Sequence, residues 1–170
     1  MNPRSDEEYR ALRATIRERG TARIWVFFVG LTMWAVSIIA TLVAAVPPAA
    51  MLIPLLALAA TFEAVLALHV GVERVGRYLM VFHDDEWERT AGAFGKPSGA
   101  IAVDPLFTVY FLLAALLTLV PTLALGPRPV EFGGLGLGEA AFFARVIAAR
   151  VTCGRQRAVD AARFQELKKQ

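Results

Sequence analysis

Cysteine is almost missing: Cys153 is the single one in 170 residues. No internal disulfide can form, and no zinc site of several cysteines can be built. A lone cysteine beside a membrane can be lipidated, but a small packing residue is the simpler reading. Histidine is nearly as scarce, with His69 and His83 alone. No nucleophile, base and orienting group stand together, so nothing points to an enzyme. Charge is scarce as well, at 19% of residues against 56% hydrophobic. A soluble domain carries more charge than that, and too little polar surface exists here to cover one core. No basic stripe alternates with stacking aromatics, so nucleic acid is excluded as a partner. An integral membrane protein is what these shortages leave.

Long apolar runs are what the chain does have. Residues 24–46 form 23 consecutive uncharged positions, enough to cross a hydrocarbon layer of about 30 Å. Pro47-Pro48 breaks that helix, and a second span, about 49–72, returns immediately as its antiparallel neighbour. Helical spacing of Arg74, Arg77 and Tyr78 with His69 and Glu73 carries the second helix beyond the membrane edge. Asp104-Pro105 reads as an N-cap followed by proline at the first helical position, opening a third span over 105–125. Pro121 is placed to kink it.

The polar flanks complete the layout. Residues 1–23 predict a cytoplasmic amphipathic helix, with Ser5 and Glu8 at capping-box spacing and Gly20 as its stop. Residues 73–104 predict a cytoplasmic loop, polar from His83 onward. Residues 152–170 predict a basic cytoplasmic helix broken at Gly154, with Lys168 and Lys169 facing Asp6–Glu8. Trp25 and Trp87 fall where inner interfacial anchors are expected.

Residues 130–151 are the difficult segment, because Glu131, Glu139, Arg145 and Arg150 interrupt it. Charge bias decides in favour of a fourth span. Lys and Arg number six in 1–23, four in 71–104 and seven in 145–170, with Arg128 alone in 126–138. Four spans put all three large groups inside, whereas three spans would expose the last group outside, against the positive-inside bias. Such a span sinks Arg145 into the bilayer, where an isolated arginine costs at least about 2.5–3.5 kcal/mol. Glu63 offers a partner. It lies about 21 Å down the second span from Ala49, and Arg145 lies about 22 Å down the fourth from Val130. A buried Glu63–Arg145 ion pair between facing helices is therefore expected. His69, Glu73, Arg77 and Arg150 form an expected polar cluster at the inner interface, with Glu73 and Arg150 at matching depth.

Several motifs are weaker. HDDEWE offers His83, Asp84 and Asp85 as metal donors but lacks the spacing of a calcium loop, so no metal is assigned. His69 lies in a span, and a dimer could present two copies to a haem iron, yet a polar contact with Glu73 one turn away is the simpler role. No cofactor is assigned. GAFGKPS has two residues between its glycines where a phosphate loop has four. Gly134 and Gly138 in GGLGLG stand at close-packing spacing.

The sequence thus predicts an all-α integral membrane protein of four transmembrane helices with short cytoplasmic N- and C-terminal helices. Its expected place is a bacterial-type inner (cytoplasmic) membrane, both termini inside and basic flanks on anionic headgroups. The expected function is a non-enzymatic structural or accessory subunit, in a homo-oligomer or a larger membrane complex. The alternative is a proton- or ion-coupled transporter or channel subunit with Glu63 as the titrating group and His69 as the next station.

Overall fold

A computed structural model describes residues 3–44, 46–94, 106–124 and 126–170. Those residues are helical throughout, apart from short connections. They form α1 (Pro3–Val43), a 3-10 turn (Pro48–Met51), α2 (Leu52–Phe82), α3 (Glu86–Phe94), α4 (Thr108–Ala124) and α5 (Pro129–Lys168). Three helices are long and apolar enough to cross a membrane: Ser5–Val43, Pro48–Phe82 and Pro129–Lys168. By length and apolarity the doubtful segment 130–151 therefore qualifies. The shorter apolar helix is α4, with 17 described residues, about 25 Å of rise.

Four phenylalanines, one from each long or apolar helix, hold the centre. Phe62 of α2 meets Phe111 of α4 edge-on at 5.2 Å and Phe142 of α5 at 6.1 Å. Phe27 of α1 closes the group against Phe111 at 5.6 Å. Edge-to-face rings place a positive edge on a negative face, which adds to the burial of large apolar area. Leu58, Val65, Ala115 and Val146 fill the space around them and are fully buried.

Two close approaches fix the helix pairs. At Gly30 an added Cβ would meet Thr61 Cγ2 at 2.0 Å, so α1 and α2 touch backbone to side chain there. At Gly138 an added Cβ would lie 3.1 Å from Leu52 and 3.2 Å from Leu55, whereas Gly134 faces open space. Of the expected glycine pair, only Gly138 serves the α2–α5 contact. Trp34 Nε1 of α1 donates to Thr118 Oγ1 of α4 at 3.0 Å, tying the third apolar helix to the first.

Local expectations at the element ends are corrected in several places. Helix α1 starts before Ser5 and passes through Gly20, so its terminal amphipathic segment and first span are one 41-residue helix. Gly154 likewise lies inside α5, which runs from the fourth apolar segment to Lys168 without a break. Neither glycine adopts positive φ; a glycine that keeps helical dihedrals costs about 1 kcal/mol and stops nothing. The expected loop after His83 holds α3, because Asp85 Oδ1 accepts the Glu88 N–H at 3.2 Å as an N-cap. Asp84 makes the sharp turn before it at φ 50°, a left-handed conformation that aspartate tolerates better than most residues. The Asp104-Pro105 cap lies outside the described residues, as do positions 95–98 of GAFGKPS. Lys168 donates to the Val81 carbonyl, and Glu8 accepts from the Tyr78 hydroxyl at 2.8 Å, so the expected tail-to-tail contact is replaced by contacts with α2.

Candidate functional site

Three polar arrangements lie along the apolar helices. The first joins α2 and α5. Arg145 Nε sits 2.7 Å from Glu63 Oε1 and Arg145 Nη2 donates to Oε2 at 2.8 Å, a forked pairing of guanidinium with carboxylate. The two residues predicted to pair are thus together. Burial is the correction: the side chains are 46% and 49% exposed, on the outer face of the bundle rather than inside it. The reason is the central aromatic group. Phe62 and Phe142 take the inward positions of the two helices, and Glu63 follows Phe62 by one residue, turned about 100° away.

The second arrangement lies further along α2, toward its C-terminal end. Glu73 lies 3.3 Å from His69 Nε2 and 3.3 Å from Arg77 Nη1, and accepts from Arg157 Nε at 3.1 Å. Arg77 continues to Asp160 at 2.9 Å, and Arg74 approaches the same carboxylate at 3.5 Å. His69, Glu73 and Arg77 therefore gather as expected from their spacing. Arg157, two turns further along α5, takes the position at Glu73 that Arg150 was expected to hold. Arg150 makes contacts of its own and is exposed.

Sequence spacing did not bring Arg23 into this group. Arg23 Nη1 lies 3.0 Å from His69 Nδ1. A guanidinium only donates, so Nδ1 is the acceptor and the ring proton sits on Nε2, facing Glu73. The histidine is 4% exposed; Arg23 engages its Nδ1, and Nε2 lies near Glu73 without a hydrogen bond among the described residues. A haem iron would have to displace one of these neighbours. Arg23 lies one residue before the first uncharged run, and its depth beside His69 is the signal that could have found it.

Among the proposed metal donors, Asp85 is held by Arg13 Nη2 at 2.6 Å and by the Tyr9 hydroxyl at 2.9 Å, and Asp84 pairs with Arg89 at 3.2 Å. His83 packs its ring near Tyr9 and Tyr78. No group of three or more His, Cys, Asp or Glu side chains is placed for a metal among the described residues. Burial alone would raise the Asp85 carboxyl, but the Glu88 N–H, Tyr9 and Arg13 hold it below the ordinary aspartate value of 3.8. A depressed folded pKa stabilises the fold above the unfolded value, and the gain disappears as pH falls through the folded one. Asp85→Asn is expected to lower stability by about 2 kcal/mol near neutral pH, with the difference from wild type closing below about pH 4. Thermal unfolding across pH 3–7 measures it.

The third arrangement was not singled out by sequence. Glu139 is only 6% exposed, and its Oε2 has no hydrogen-bond partner among the described residues. It lines a cavity of about 230 Å³ between α4 and α5, with Leu119, Thr122, Leu123, Phe132 and Leu135. Its helical neighbours Leu135, Gly136, Phe142 and Phe143 are all apolar. That lack of any base at three or four positions either side is the signal in the sequence. Cys153 points inward and is buried with the core rather than presented for lipidation.

The chain matches no protein-family model, and no curated protein or solved structure shows significant similarity to it.

Proposed function

We propose that the chain is a non-enzymatic subunit of a membrane assembly, packing laterally against a transmembrane helix of another subunit. The layout read from the charge bias goes with it: four spans, both termini cytoplasmic, in a bacterial-type inner membrane. One observation carries the reading. The Glu63–Arg145 pair sits at span depth yet is half-exposed on the surface of the bundle. Two charges at that depth are stable against lipid only when paired, and better stabilised when something more polar than hydrocarbon covers them.

The surroundings suit a helix as that cover. On α2, Ala60 and Ala67 flank Glu63, and on α5, Gly134, Ala141 and Ala148 lie on the same side as Arg145. All five are exposed. Small residues at heptad-like spacing let a neighbouring backbone approach closely, which is how helices associate where lipid is as apolar as leucine. A photoreactive residue at Ala141 is expected to crosslink to protein in native membranes, while one at Val43, on the exposed end of α1, crosslinks to lipid. Adducts with lipid alone at Ala141 would refute lateral assembly.

The transporter alternative finds less support in the placement of its two residues. Glu63 bonds Arg145 on the outer face of the bundle, while His69 bonds Arg23 and lies beside Glu73 further along α2.

A further inference from the structure

The cavity beside Glu139 combines features that belong together in a ligand site. Glu139 lies ten residues into α5 from Pro129, about 15 Å down, half of a bilayer core of about 30 Å. No cation reaches its Oε2 among the described residues. A carboxylate in so apolar a setting requires a compensating positive charge, from a proton or from a bound cation. The walls are Leu119, Leu123 and Leu135 with the Phe132 ring, and Leu123 and Phe132 are themselves exposed, so the cavity opens on the bundle surface.

We propose that this cavity binds a hydrophobic monocation of the protonated-amine class, with the Glu139 carboxylate as counter-charge. An ammonium supplies the N–H donor that Oε2 lacks, in a charge-assisted bond. The leucines receive the apolar body, and an aromatic wall attracts a cation over its face. A single carboxylate suits one positive charge. A divalent metal would want six or more oxygens, which the lining does not offer. The volume, about 230 Å³, lies just below the usual range for drug-sized ligands and suits a one-ring or short-chain amine.

The proposal shares with the assembly reading only the placement of α5 in the bilayer. A monomeric protein that bound amine would refute assembly and leave the cavity standing. The full chain in phosphatidylcholine nanodiscs is titrated with radiolabelled 2-phenylethylamine. Saturable binding is expected, at least about tenfold weaker in Glu139→Gln, with the neutral isostere 2-phenylethanol failing to compete. Absence of saturable binding, or equal binding to the variant, overturns the proposal. Should Glu139→Gln fail to fold, dicyclohexylcarbodiimide decides on the wild type. The acid adds across one C=N bond, its oxygen to carbon and its proton to nitrogen, and acyl shift leaves the whole reagent on the side chain. Mass spectrometry is expected to place the adduct on Glu139, and 2-phenylethylamine to suppress it. Labelling elsewhere only, or indifferent to the amine, overturns the proposal equally.

Discussion

Gly30→Ala is expected to separate α1 from α2 and to lower the melting temperature in mild detergent by about 5–10 °C. The added methyl would lie 2.0 Å from Thr61 Cγ2, 2.2 Å from its hydroxyl and 2.6 Å from its Cβ. Rotation of the threonine cannot relieve this, because Cβ is fixed to the backbone. The Thr61 hydroxyl is also bonded to the Ala57 carbonyl at 2.7 Å. The helices must move apart, and Phe27 and Phe62 move with them. Overpacking of this kind costs about 3 kcal/mol or more. Thr61→Gly in the same chain removes all three clashing atoms and is expected to recover most of the loss. Gly20→Ala is the control. Its new methyl meets nothing within 4 Å, and replacing a mid-helix glycine stabilises by about 1 kcal/mol. A Gly30→Ala protein that melts like wild type would show that α1 and α2 do not pack at this distance.

Arg145→Leu is expected to be more damaging than deletion of an ordinary surface salt bridge, which contributes at most about 1 kcal/mol. The leucine itself suits hydrocarbon. The loss comes from Glu63, left charged at span depth with no partner, at about 3 kcal/mol. Glu63→Leu strands Arg145 in the same way, although a long side chain can reach toward the interface and soften the effect. Replacing both by leucine removes both unpaired charges, so the double variant is expected to be more stable than either single one. Under the assembly proposal it is also expected to lose the lateral crosslink, because the ionic feature that a partner would cover is gone. Stability and assembly would then separate in one series.

Much of this arrangement could be read from spacing and charge alone. The depth match of Glu63 with Arg145 follows from counting residues at 1.5 Å each from the turns that open the second and fourth apolar segments. The gathering of His69, Glu73 and Arg77 follows from helical periodicity. The outward aim of the pair was not legible, since it depends on Phe62 and Phe142 taking the inward positions, and any of several apolar residues could have done so. The continuity of α1 and α5 was hidden by Gly20 and Gly154, which look like stops when the helices they lie on are considered singly. Packing of the polar ends against the α3 cap through Arg13–Asp85, and against α2 through Arg157–Glu73, supplies what the local sequence lacks. The cap at Asp85 was legible in principle, with Glu88 three residues later. It was masked by the acidic run around it. The cavity role of Glu139 was not legible in the sequence, where it reads only as a charge interrupting a span, because the cavity is formed by the packing of α4 against α5.

Exchanging the two charges tests the pairing at span depth most directly. Glu63→Arg, Arg145→Glu and the double exchange are compared with wild type by thermal unfolding in nanodiscs. Each single change places two like charges within reach of each other and is expected to abolish folding or lower stability by several kcal/mol. The double exchange restores opposite charges on α2 and α5, and most of the lost stability is expected to return, a strong departure from additivity. A double variant as unstable as the sum of its parts would mean that Glu63 and Arg145 do not face each other in the membrane.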